Sequence, residues 1–219
     1  MKTTLFPLLI VLLFFASCET EKSTATDSLP MQVAQAYGFG QLDDVQSIAY
    51  TWNVRRDSAT VMVRDWKWDL VKGEVSYADA DTSLSYLIAQ KSEEIKDIDH
   101  RFINDKYWLL FPFQMAWDEG YSTEITEGQT SPINGDATTK ITVLYNNEDG
   151  YTPGDAYDVY VDDQKMIKEW VFRKGNAEEG RAFTWENEKD FGGIKIALDH
   201  RMNDGEKIIW FTNVEVVKK

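Results

Sequence analysis

The sequence predicts a mainly β fold of the α+β class, a meandering antiparallel sheet with an N-terminal helix and a helical insertion. Three observations predict it. Apolar and polar residues alternate over many short segments, hairpin-length turns join most of those segments, and one central stretch changes to three- and four-residue spacing. Sequential strands joined by short turns are antiparallel, because parallel neighbours need a crossover of about a dozen residues or more.

In chain order, the segment PMQVAQAYG opens with Pro30 at a helix start and stops at Gly38, presenting Met31, Val33, Ala34 and Tyr37 on an amphipathic face. The period then falls to two. VQSIAYTWNV (45–54) and ATVMVRDWKWDLV (59–71) read as strands joined by the turn Arg56-Asp57-Ser58, and EVSYAD begins a third after Gly73. From Leu84 to Asn104 the pattern turns helical, with Leu87, Ile88, Ile95, Ile98 and Phe102 at helical offsets. The apolar segment RFINDKYWLLFPFQMAWDEG (101–120) follows, and Pro112 predicts a short helical turn there, not a long regular helix. Beyond Gly120 come further strands: STEIT, TTKITVLYN, AYDVYVD, MIKEWVFRK, RAFTWEN, IKIALDHRM and EKIIWFTNVEVV. Turns at 162–165, Gly192-Gly193 and Asn203-Asp204-Gly205 punctuate the run.

The first residues, MKTTLFPLLIVLLFFASC, place Lys2 before an apolar run from Leu5 to Phe15 and small residues at Ala16 and Ser17. Residues 1–17 therefore read as a secretory signal peptide, its apolar run shorter than the roughly twenty residues of a stable span. Cys18, the single cysteine, follows directly, and Phe15-Ala16-Ser17-Cys18 resembles a bacterial lipobox, with Phe15 departing from the usual leucine. The resemblance implies lipidation of Cys18, and the chain's membrane link is then this N-terminal lipid. It also implies a cell-envelope protein, expected at the outer membrane on its periplasmic or surface face. Residues 18–29, polar, small and acidic, read as the lipidated N-terminus and a flexible tether, and 30–219 as one domain. A free thiol next to a cleaved signal is the plainer alternative.

Basic residues number 23 against 37 acids, a net charge of −14. Such a balance argues against nucleic acid as a partner, since binding there rests on Lys and Arg neutralising phosphates. It also disfavours broad electrostatic contact with anionic lipid. Without a second cysteine no intrachain disulfide forms, and packing holds the fold. Eight tryptophans and 13% aromatic residues supply the material.

Catalytic patterns are lacking. There is no G-x-S-x-G elbow, no H-E-x-x-H and no phosphate-binding glycine loop. His100, in a polar helical stretch, and His200, at a strand end, each read as a surface or edge histidine. In YNNEDGYTPGDA, Asn147, Asp149 and Gly150 keep three places of a calcium loop, but Tyr145 and Ala156 stand where charged ligands are needed, so a long hairpin loop is expected. Acid pairs such as Asp162 with Asp163 and Glu178 with Glu179 arise readily among so many acids. No enzyme, cofactor or metal site is predicted.

The succession of an amphipathic helix, a long antiparallel meander interrupted by helices, a terminal hairpin and a lipid anchor resembles the Lol-type lipoprotein carrier and receptor class over roughly residues 30–217. At the level of words, FINDKYWLLFPF (102–113), YDVYVD (157–162), IKEWVFR (167–173) and FGGI (191–194) resemble uncharacterised Bacteroidetes-type envelope lipoproteins. The Lol likeness implies a curved sheet, a half-barrel whose concave face is covered by the helices and holds a lipid or another hydrophobic ligand. On that reading the segment Tyr107, Trp108, Leu110, Phe111 and Phe113 lines the cavity, with Met115 and Trp117 near its rim. Tyr50, Trp52, Met62, Trp66 and Trp68 would face it from the first strands, and Trp170, Phe172 and Trp185 from the later ones. Arg64 or Arg173 would meet an anionic head group. The alternative is that the same segment plugs the half-barrel and makes it a solid scaffold that docks an envelope protein partner. A carboxylate-dependent hydrolase of envelope material is the third reading.

Overall fold

A computed structural model describes residues 28–146 and 153–219. The signal peptide, Cys18 and nearly all of the tether, and Asn147, Asp149 and Gly150 of the calcium-like loop, lie outside the described residues. In chain order the elements are α1 (Leu29–Ala36), β1 (Val45–Arg55), β2 (Val61–Asp69), β3 (Glu74–Ala78), β4 (Ser83–Leu87) and α2 (Lys96–Trp117), then β5 (Tyr121–Thr130), β6 (Ala137–Tyr145), β7 (Ala156–Val161), β8 (Ile167–Arg173), β9 (Arg181–Thr184), β10 (Glu186–Phe191), β11 (Ile194–Arg201) and β12 (Lys207–Lys218).

The strands form two antiparallel sheets, one ordered β10-β11-β12-β1-β2-β3-β4 and the other β5-β6-β7-β8-β9. Between β9 and β10 they are stitched together. The Trp185 amide donates to the Lys168 carbonyl, and the Arg201 amide to Thr184 Oγ1. The assembly is not closed into a barrel, and β4 and β5 are its outer edges. The predicted class, mainly β with an N-terminal helix and a helical insertion, is what the chain adopts.

Ser28 caps α1 by accepting from the Met31 amide, and Pro30 sits in its first turn, where a missing N–H leaves no bond unmade. Val33 and Ala34 are buried beneath it. Gly38, at φ +96°, then turns the chain tightly against the β10–β11 hairpin: a Cβ there would fall 1.8 Å from the Gly193 carbonyl oxygen. Next to it the Lys195 amide donates to the Tyr37 carbonyl.

Two expectations are corrected. Leu84–Leu87 is the edge strand β4 and not the start of the helix, because Leu84 and Tyr86 pair across to Tyr77 and Val75 while Leu87 turns outward. Nor does Pro112 reduce the apolar segment to one turn. The helix α2 runs on to Trp117 and bends at Leu110 (φ −123°, ψ 24°), next to the place where Pro112 withholds its hydrogen bond from the Trp108 carbonyl. Every residue from Leu109 to Met115 is buried. Such all-round burial marks a helix inside the molecule, where apolar contact outweighs a proline penalty of about 3 kcal/mol.

Candidate functional site

Alternation along β1 and β2 turns Ile48, Tyr50, Trp52 and Val54 to the inner face, directly opposite Trp68, Trp66, Arg64 and Met62. From β3, Tyr77 stacks against Trp66 with ring centres 4.5 Å apart, and Phe102 of α2 approaches the same indole at 5.4 Å. On the other sheet Tyr157 lies on Trp170 at 5.2 Å and against Phe172 at 5.3 Å. Between the sheets α2 inserts Trp108, 4.7 Å from Trp170 and 4.8 Å from Phe183, and Phe111, 4.8 Å from Trp170. Tyr107 completes this side against Tyr157 at 6.1 Å, while its hydroxyl donates to Asp118 at 2.6 Å.

Most of the sequence-predicted lining residues therefore come together. Tyr50, Tyr107, Trp108, Phe111, Trp170 and Trp185 share one inner aromatic network, Trp66 joins Trp68 through Phe102, and Leu110 and Met115 belong to the same buried core. Trp68, Phe113 and Trp117 form a second group with Phe39 at one end of α2. Met115 is fully inside and is not a rim residue. Met62 packs against this core from its margin and also lines a cleft of about 710 Å³ with Arg56, Tyr77, Asp79 and Arg101. Trp52 lies beneath the Arg64 guanidinium, 4.0 Å from it.

Arg64 and Arg173 do not wait for a head group. Arg64 donates through Nε and Nη2 to both oxygens of Asp105, at 2.8 and 2.7 Å, and Trp66 Nε1 and Asn104 Nδ2 complete the carboxylate's partners. Arg173 is held by Asp158 at 2.8 Å and by Asn176 and the Ala177 carbonyl. Burial pushes the Asp105 carboxyl up to about 6, while the Arg64 charge and the donors pull against it. Asp105 ties α2 to β2, and nothing in its linear context announced that. Its place three residues after Phe102 and four before Leu109 puts it on the buried helix face, which is the signal that would have found it.

His200 does sit at a strand end, one residue before the end of β11, but it corrects the reading of a surface or edge histidine. Its ring is wholly buried, 4.5 Å from Trp185, 5.4 Å from Trp108 and 5.9 Å from Phe211. Nδ1 faces the Thr184 carbonyl at 3.0 Å. Burial pushes its pKa down to about 4, so the imidazole is neutral near pH 7. Period two already placed it inward: Ile194, Ile196, Leu198 and His200 share one face of β11.

Around this network several buried polar atoms have no hydrogen-bond partner among the described residues: Tyr50 Oη, Trp52 Nε1 and Trp170 Nε1, with Gln114 Nε2 on α2. Each such group costs about 1–3 kcal/mol when left unpaired. Among the described residues no group of three or more His, Cys, Asp or Glu side chains is placed to hold a metal ion. No described helix is long and apolar enough to cross a membrane, which says nothing of membrane strands.

No family model matches the chain, and no curated protein matches it by sequence. Solved structures do. A LolA superfamily protein from Nitrosomonas europaea superposes with a TM-score of 0.50 at 6% identity, covering 90% of this chain and 96% of that one. The chain has the LolA-type fold. A DUF1329 family protein from Desulfovibrio piger gives a TM-score of 0.47 at 9% identity, covering 89% of this chain and 94% of that one. An outer membrane lipoprotein-sorting protein domain from Vibrio parahaemolyticus gives 0.44 at 14% identity, with 88% and 93% covered. The LolA-type fold is the one implied by the order of helices and strands.

Proposed function

We propose that the chain is an envelope lipoprotein, anchored through Cys18, that binds an amphiphile with an acyl chain on the inner face of its half-barrel. One observation carries the reading: among the described residues the buried donors Tyr50 Oη, Trp52 Nε1 and Trp170 Nε1 have no hydrogen-bond partner, and the Trp170 indole sits among the rings of Trp108 and Trp185. A core selected only for filling would carry Phe or Leu at such positions, since an indole N–H or phenol O–H left dry costs stability. An acyl chain suits the aromatic walls, and ester or amide carbonyls suit the unpaired donors. Because α2 already lies along this face, the ligand takes its place beside a helix that shifts on its bend at Leu110.

The test uses the chain carrying Cys18→Ser, which cannot be acylated at that residue. Organic extraction and mass spectrometry of the purified protein should yield a stoichiometric lipid, and a fluorescent fatty acid should bind saturably. Absence of both overturns the reading. Metabolic labelling with palmitate should mark the wild-type chain and not Cys18→Ser, which tests the anchor separately.

A second reading, a scaffold that docks an envelope protein, is favoured by Val61 and Val63, exposed on the outer face of β2, and by Ile125, 48% exposed on the edge strand β5. Apolar side chains on an outer face and an unpaired edge are features of a docking surface. Charged substitutions at Val61 and Val63 would abolish capture of a partner in the scaffold reading and leave lipid binding unchanged in the first.

A further inference from the structure

Lys106 stands out on α2 because its ammonium group sits among rings and, among the described residues, in no ion pair. Its Nζ lies 5.4 Å from the Trp117 ring centre, 5.5 Å from Trp68 and 5.8 Å from Phe102. The side chain is half-buried, as are Trp68 and Trp117, whereas Phe102 is fully inside. The two indoles meet edge to face at 6.3 Å, and Phe39 packs on Trp117 at the same distance, so the group forms an aromatic rim at one end of the inner face.

The acids whose charge reaches Lys106 are Asp118 and Asp99, and each is engaged elsewhere. Asp118 accepts from the Tyr107 and Tyr145 hydroxyls at 2.6 and 2.7 Å. Asp99 accepts from the Tyr86 hydroxyl at 2.9 Å and pairs with Lys91 at 2.8 Å. Among the described residues no carboxylate forms an ion pair with Lys106. Other lysines of the chain also lack an ion pair, and what sets Lys106 apart is the three rings around its ammonium group. Ring faces stabilise a cation but leave its N–H donors unused. Burial also lowers its pKa, the mark of a cation that has lost water without gaining a counter-ion.

We propose that Lys106, framed by Trp68 and Trp117, is the subsite for the anionic head of the bound amphiphile, one acidic group such as a fatty-acid carboxylate or an alkyl phosphate. The proposal rests on the reading of the inner face as an amphiphile site and adds to it the charge of the ligand. One ammonium group matches one anion, and the flanking indoles give the first methylene groups an apolar wall. This subsite takes the role that the sequence assigned to Arg64 or Arg173, both of which are engaged in ion pairs within the protein.

The test titrates the Cys18→Ser chain with dodecanoate, dodecyl phosphate and dodecanol, each below its critical micelle concentration, following tryptophan fluorescence. The wild-type side chain should favour at least one anion over dodecanol by about tenfold. Lys106→Met should lose that preference while binding dodecanol unchanged, and Lys106→Arg should keep it. Near-UV circular dichroism verifies that both variants fold. Preference for dodecanoate or for dodecyl phosphate identifies which anion the site takes. Equal affinity for anion and alcohol in the wild-type side chain, or a preference that survives in Lys106→Met, overturns the Lys106 subsite and leaves the amphiphile reading standing. No binding of any of the three overturns both.

Discussion

His200 is neutral because the rings of Trp108, Trp185 and Phe211 enclose it, and this makes its contribution to stability depend on pH. With its folded pKa lowered from 6.5 to about 4, the native state binds fewer protons than the unfolded state between those values. The stability it permits is therefore complete above about pH 6.5 and is lost as pH falls towards 4, by about 3 kcal/mol. Asp105 has the opposite sign: its folded pKa is raised from 3.8 to about 6, so its contribution is most favourable below about 4 and declines as pH rises through 6. Replacing His200 with Phe should remove most of the acid-dependent loss, read as a smaller shift in the urea midpoint between pH 7 and 4.5. An unchanged shift would show that another group governs it. Truncating Asp105 to Ala strands the Arg64 guanidinium, and equilibrium unfolding should register a loss of about 3–5 kcal/mol, much of it recovered in the Arg64→Met, Asp105→Leu pair.

Among the elements, α1 packs on α2 and is held to the β10–β11 hairpin by the close approach of Gly38 to Gly193 and by the bond from the Lys195 amide to the Tyr37 carbonyl. Gly38 combines φ +96° with a Gly193 carbonyl that a Cβ would strike, whereas Gly135, at φ +74°, faces open space. Gly38→Ala should therefore cost more than 2 kcal/mol on the scale of about 1–3 for strained backbone, and Gly135→Ala about 1, compared by thermal unfolding. A small effect at Gly38 would mean that α1 is not docked as described. Element type was legible wherever period two was clean, as in β1, β2, β7 and β11. It failed at β4, where Leu84, Leu87 and Ile88 fit helical spacing as well as strand pairing, and only the partner strand β3 decides between them. It failed again at Pro112, since a local rule about proline cannot register that both sides of α2 are covered.

For the molecule as a whole, the question is whether the inner face is only a core or also a receptacle. Trp108 is the side chain that separates the two, because it lies between α2, β8, β9 and β11 and yet stays partly exposed. Trp108→Ala should destabilise by about 3–5 kcal/mol in either case. In a receptacle it should also tighten binding of the fluorescent fatty acid, since the ligand then no longer competes with the indole for space. Destabilisation without tighter binding would favour the scaffold. Much of the candidate site was legible as a set, because aromatic residues at alternate positions must share a face. Its depth was not: Met115 proved fully buried, Trp68 and Trp117 half-exposed, and the unpaired charge at Lys106 depends on where Asp99 and Asp118 turn.

By itself the sequence determined the class of fold, the supply of aromatic surface, the acidic character and which side of each regular strand faces inward. These are local properties, set by composition and by the period of the backbone. Only the tertiary structure decided which rings fill and which remain at the rim. It also joined Arg64 to Asp105 across 41 positions of chain, enclosed His200, and set the Lys106 ammonium group among the rings of Trp68, Phe102 and Trp117. Those outcomes depend on how the two sheets curve around α2, a long-range arrangement to which any one segment contributes too little to reveal it.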